Sequence, residues 1–157
     1  MKALTLIRPW NWAIIFAGKT VENRSWAFEQ RGLRRGESLY IHGGAKYDED
    51  AALWITMTFG IRVPGEDECP TGIMGAVQFL RSARRADQLD ADAQRWFFGP
   101  VGNLLTNPVA LKPVECPGQL GLWEAPKLQV DQWKRLHDVK LPGDGPVARI
   151  WNSQGEK

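Results

Sequence analysis

The densest set of chemically capable side chains lies between Lys19 and Trp26, in the run Lys-Thr-Val-Glu-Asn-Arg-Ser-Trp. Successive side chains of a strand point to opposite faces. A strand here puts Thr20, Glu22, Arg24 and Trp26 on one side and Val21, Asn23 and Ser25 on the other. One face then carries a hydroxyl, a carboxylate, a guanidinium and an indole, with Lys19 at its entrance. Neither an apolar core nor open water asks for that mixture. Lys19 has two readings: beside a pocket wall a desolvated lysine becomes a base or nucleophile, whereas at the surface an ammonium past a helix C-terminus merely suits the dipole. Glu22 and Arg24 form a structural ion pair, or they read a ligand, with Glu22 accepting from a nucleobase amino group and Arg24 contacting phosphate. Trp26 is core or a platform on which a base stacks.

Lys46 and Tyr47 form a second cluster. They can act as charge stabiliser and proton donor in metal-free phosphoryl or acyl transfer, or stand as a surface pair ahead of a helix. Arginines gather twice more, as Arg31, Arg34 and Arg35 and as Arg81, Arg84 and Arg85. Each group is a solvated turn or strand end, or a phosphate-contacting arm. His42 reads as structural. His42, Cys69, Cys116 and His137 lack ligand spacing, so no metal is expected. Phosphate-cradling glycine loops, nucleophile elbows and zinc-deaminase signatures do not occur, so a nucleotide hydrolase of the common kinds is not expected, and no cofactor is expected.

These residues need elements to hold them. Residues 3–7 read as a first strand. A short helix follows, with Pro9 at its first position and Gly18 past its end. Trp10, Trp12 and the apolar residues up to Ala17 leave that helix almost no polar face, so it should be buried. Residues 27–37 read as a loop or loose hairpin, and 38–42 as a strand ending at Gly43-Gly44. A helix capped by Asp48 runs to about Phe59 and stops at Gly60. Residues 60–71 are a long surface loop, a lid or a decoration. Residues 72–80 are a strand with Ile73, Gly75, Val77 and Phe79 on one face, and 87–96 a short acidic helix. Residues 103–115 give one or two edge or bulged strands, because Pro108 and Pro113 interrupt them. Residues 120–123 continue the sheet. A helix over 126–137, a turn at 143–146 and a strand over 147–151 close the chain.

The 157 residues read as one domain, 1–157, with a net charge of only +2, so any affinity for nucleic acid must come from a local patch. No apolar run approaches a membrane span, and no secretory core follows Met1. Two cysteines are too few for a disulfide framework, and a cytoplasmic setting is expected. Eight tryptophans are unusual. Most should be core, and one or two, Trp10 and Trp26 among them, can stack on a flat ligand.

Arg-Pro-Trp before a short helix, followed by Gly18-Lys19-Thr20-Val21-Glu22-Asn23-Arg24, resembles the ASCH domain family of PUA-like β-barrels. Leu39-Tyr40-Ile41-His42-Gly43-Gly44-Ala45-Lys46 and Cys116-Pro117-Gly118-Gln119-Leu120-Gly121-Leu122-Trp123 agree with it, so the resemblance spans roughly residues 3–124. It implies an α+β, mainly-β fold: a PUA-like β-barrel with peripheral helices, and RNA or a modified base held beside the Gly-Lys turn. One branch of the family is an amidohydrolase of N4-acylated cytidine that uses a lysine matching Lys19, a threonine and a glutamate. Its threonine lies three residues after the lysine, where this chain has Glu22, and Thr20 is one residue after. Asp87, Asp90 and Asp92 are only nearby acids, so that mechanism does not carry over intact. Another branch is described as a ribonuclease, with a lysine resembling Lys46.

The expected function is therefore binding of RNA or a modified nucleotide. The cleft would be formed by Lys19, Thr20, Glu22, Arg24, Trp26 and the Lys46–Tyr47 turn, with Trp10 beside them and Arg34 and Arg84 on phosphates. The rival is a metal-independent hydrolase using Lys19 and Glu22 or Lys46 and Tyr47. A third reading is a protein-interaction module with a vestigial pocket.

Overall fold

The computed structural model describes residues 1–128. The helix, turn and strand expected over 126–151 lie outside the described residues but for 126–128, which are irregular. The described chain runs β1 (Lys2–Arg8), α1 (Trp10–Phe16), β2 (Val21–Arg24), β3 (Ser38–Tyr47), α2 (Glu49–Phe59), β4 (Gly72–Ala83), α3 (Ala91–Gln94), β5 (Val101–Val114) and β6 (Leu122–Glu124). Short 3-10 turns occupy Phe28–Arg31 and Ala86–Gln88. The arrangement is α+β, mainly β with peripheral helices.

The strands form one mixed sheet in the order β2-β5-β4-β3-β1-β6. β1 and β3 are parallel, and the other neighbours are antiparallel. Among the described residues the ladder starts at β2 and ends at β6 without closing on itself, so hydrogen bonds there do not complete the expected barrel. The sheet is nonetheless strongly curled. β2 and β1 stand four steps apart in that order, which is about 19 Å across a flat sheet. Yet Arg24 Nη2 donates to the Thr5 carbonyl at 3.2 Å. Only a sheet bent round on itself brings those two strands within one side chain's reach.

α1 fills the curl. Trp12, Ala13, Ile14, Ile15 and Phe16 are buried, and the helix packs on β1, β3, β4 and β5. Its lack of a polar face is the reason, since a helix apolar all round must be covered all round. The exception, Asn11, is buried with Nδ2 donating to the Pro70 carbonyl at 3.2 Å and to Met74 Sδ at 2.7 Å. Pro9 precedes the helix as its N-cap rather than opening it. Gly18, at φ +73°, takes the left-handed turn that leads into Lys19.

Several boundaries differ from expectation. β3 does not end at Gly43-Gly44, because Gly43 is paired on both sides, with Leu6 of β1 and Gly72 of β4. β4 does not keep Ile73, Val77 and Phe79 on one face. Bulges shift its register, sending Met74, Val77 and Phe79 to the main core and Ile73 and Ala76 to a smaller outer cluster with Tyr40, Leu111 and Trp123. β5 runs unbroken through Pro108 and Pro113. Its partner β2 covers only Val101–Leu104, so both prolines sit where one side of β5 has no ladder to supply. The 27–37 stretch holds a 3-10 turn with Phe28 and Leu33 buried, and the acidic helix of 87–96 is reduced to α3.

Arg8 ties down the long loop. This buried arginine donates to the carbonyls of Gly44 (2.9 Å), Ala45 (2.7 Å), Glu66 (2.6 Å) and Cys69 (2.8 Å). The 60–71 loop is thus fastened to the end of β3 instead of standing free over the molecule.

Candidate functional site

Where the curled sheet fails to close, a cleft of about 1060 Å³ opens. β1, β2 and β3 form its walls, and residues 115–121 lie along it as an irregular strap. The seam is open for a local reason. β6 pairs only with Lys2, Ala3 and Leu4 of β1, so from Thr5 onward that edge of β1 faces the gap.

Lys19 and Glu22 form the floor. Lys19 is 3% exposed, which removes the surface-lysine reading. Its Nζ donates to Glu22 Oε2 at 2.8 Å and to the Val21 carbonyl, and lies 5.6 Å from the Trp10 ring centroid. Glu22 Oε1 accepts from Arg24 Nε at 3.0 Å. One carboxylate therefore bridges two cations, which leaves an excess of positive charge in a partly desolvated place. Lys46 stands exposed on the same cleft. Such a surface suits an anion, or a polar edge that can share the remaining carboxylate lone pairs.

The remaining candidates are placed as follows. Trp10 lines the cleft, but Thr20, Trp26, Tyr47, Arg34 and Arg84 do not. Thr20 lies just before β2, its carbonyl accepting from Leu105 N at 2.8 Å. β2 ends at Arg24, so Trp26 leaves the shared face. It packs on Phe28 at 5.5 Å, with the Arg31 guanidinium 5.1 Å and that of Arg24 6.0 Å from its centroid. Lys46 and Tyr47 are neighbours on a strand, so they diverge. Tyr47 packs on the core and donates to the Pro64 carbonyl at 2.7 Å, and burial raises its pKa above the usual tyrosine value. Arg34 is exposed and paired with Glu37 at 3.3 Å, and Arg84 is also exposed.

Three cleft features escape a reading based on residue type. Asn23, assigned to the opposite face of β2, lines the cleft too. Phe98 stands 55% exposed at its lip; an aromatic beside Gly99-Pro100 is the faint signal that marks it. His42 is buried against the strap: Nε2 donates to the Cys116 carbonyl at 2.8 Å, and Nδ1 has no partner among the described residues. A Cβ at Gly118 would come within 2.6 Å of Thr5 Oγ1 and 2.7 Å of His42 Cε1, so the strap approaches this closely only with glycine there.

Among the described residues no helix is long and apolar enough to cross a membrane. No protein-family model matches the chain, and no curated protein matches it.

Proposed function

We propose that the chain binds RNA, or a modified nucleotide, in the seam cleft, as a protein of ASCH type with a PUA-like barrel left open at one seam. The observation that carries this reading is the Lys19–Glu22–Arg24 cluster on the floor of a cleft rimmed by Trp10 and Phe98. The volume suits a nucleotide-sized ligand. The floor offers donors and a carboxylate to a base edge, Trp10 and Phe98 offer apolar rings, and Lys46 offers a charge to a phosphate. The test is binding of single-stranded RNA across a salt series. Affinity should fall as salt rises and weaken with Lys46→Ala. Salt-independent binding would contradict the reading.

A hydrolase remains the second reading, because a buried amine in contact with a carboxylate also suits metal-free acyl transfer. Incubation of total RNA and N-acylated nucleosides without metal, followed by mass spectrometry, separates the two. Product formed by wild type and lost in Lys19→Gln makes it an enzyme. Ligand retained unchanged makes it a binder.

A further inference from the structure

We infer that Phe98 is the stacking face for one unpaired base and that Asn23 is its positioning residue. The inference rests on the RNA-binding reading and adds to it the part of the ligand that enters the cleft.

Three observations carry it. First, of the seven exposed large apolar side chains among the described residues, three, Ile7, Phe98 and Leu120, come from separate segments and line this one cleft. An apolar rim over a charged floor suits a ligand with a flat body and a polar edge. Second, Phe98 is supported from behind without being covered. Its centroid lies 5.1 Å from Trp54 at 75° and 6.2 Å from Trp10 at 62°. Neither ring is stacked parallel on it, and Phe98 stays 55% exposed. Trp10 in turn has Lys19 Nζ 5.6 Å from its centroid, so Trp10 stands between the Phe98 lip and the charged floor.

Third, the turn that carries Phe98 is fixed by the charged strand. Asn23 Oδ1 accepts from Phe98 N at 2.8 Å and Gly99 N at 3.2 Å, and Asn23 Nδ2 donates to the Trp96 carbonyl at 2.9 Å. A single amide thus answers three main-chain groups of that turn. Asn23 stands between Glu22 and Arg24, so the same four-residue strand sets both floor and lip. An exposed phenylalanine held this firmly is pre-organised for a flat partner, which lowers the ordering cost of binding. A nucleobase fits both the ring and the floor. It must be unpaired, since a paired base presents neither its face nor its pairing edge.

The experiment compares a short single-stranded RNA with the same ribose-phosphate backbone lacking its bases. Binding of each is measured for wild type, Phe98→Ala, Phe98→Trp and Asn23→Ala. Wild type should prefer the base-bearing strand by about tenfold or more. Phe98→Ala should lower that ratio severalfold, the floor and Trp10 keeping the remainder, while leaving the abasic strand's affinity unchanged, and Phe98→Trp should keep the full ratio. Asn23→Ala should lower the ratio without weakening abasic binding, a split that general loss of structure would not produce. A full preference retained in Phe98→Ala overturns the proposal, and so does a wild type that binds both strands equally, although RNA binding itself then survives. A wild type that binds neither strand removes the RNA-binding reading along with it.

Discussion

Arg24 on β2 donates to the main-chain carbonyl of Thr5 on β1 at 3.2 Å, across a gap that no ladder closes among the described residues. The bond is a side-chain substitute for backbone pairing. With α1 packed inside the curl, it helps a sheet with open edges hold its shape beside the cleft. Arg24→Ala should loosen β2 from β1 and cost about 1.5–3 kcal/mol, the range for a hydrogen bond to a charged group. Lysine should not rescue it, because Nε is committed to Glu22 while Nη2 reaches Thr5. Denaturant unfolding gives the energy, and amide exchange in β2 shows where it is lost.

Glu22 is the keystone of the floor, with one oxygen on Lys19 and the other on Arg24. Glu22→Ala leaves the buried Lys19 charge without its partner, and loss of about 3–5 kcal/mol is expected. Glu22→Gln keeps an acceptor and should cost clearly less. Equal losses in the two variants would mean that the carboxylate's charge is irrelevant.

Arg8 should matter for stability although it does not line the cleft. Its guanidinium serves four carbonyls at the end of β3 and in the 60–71 loop. Arg8→Ala leaves them unanswered and should cost about 2–4 kcal/mol. Limited proteolysis should then cut first within residues 60–71.

These particulars separate what the sequence discloses from what it hides. The buried helix, its Gly18 stop, the Asp48 cap and the Lys19–Glu22–Arg24 grouping are local, and residue type with spacing reveals them. The run of β3 through two glycines is hidden, because strands on both sides hold Gly43 in place. β5 tolerates its prolines because β2 is too short to face them. Lys46 and Tyr47 read as a pair only while they are taken to lie in a turn; on a strand they part. Phe98 owes its place to Asn23, a contact across 75 residues that no local pattern records.

Alkaline pH should destabilise the fold. Burial pushes the Cys69 thiol from its ordinary 9.0 up to about 12, with Arg8 and Asn11 acting against it. In the unfolded chain that thiol ionises near its ordinary value. Between about pH 9 and 12 the folded state therefore holds more protons, and stability falls as pH rises. Tyr47, raised chiefly by burial, adds to the same trend. Melting temperature should drop above about pH 9, and Cys69→Ala should make the drop shallower.

The central claim is that RNA enters the seam cleft, and NMR mapping on labelled protein tests it most directly. Eight tryptophans give resolvable indole signals, and Trp10→Phe identifies that of Trp10, which lines the cleft. On titration with single-stranded RNA, the Trp10 indole and the amides of Lys46 and Phe98 should shift together and saturate with one affinity. Shifts confined to the exposed face of α2 around Leu53 and Met57, or none at all, would contradict the account.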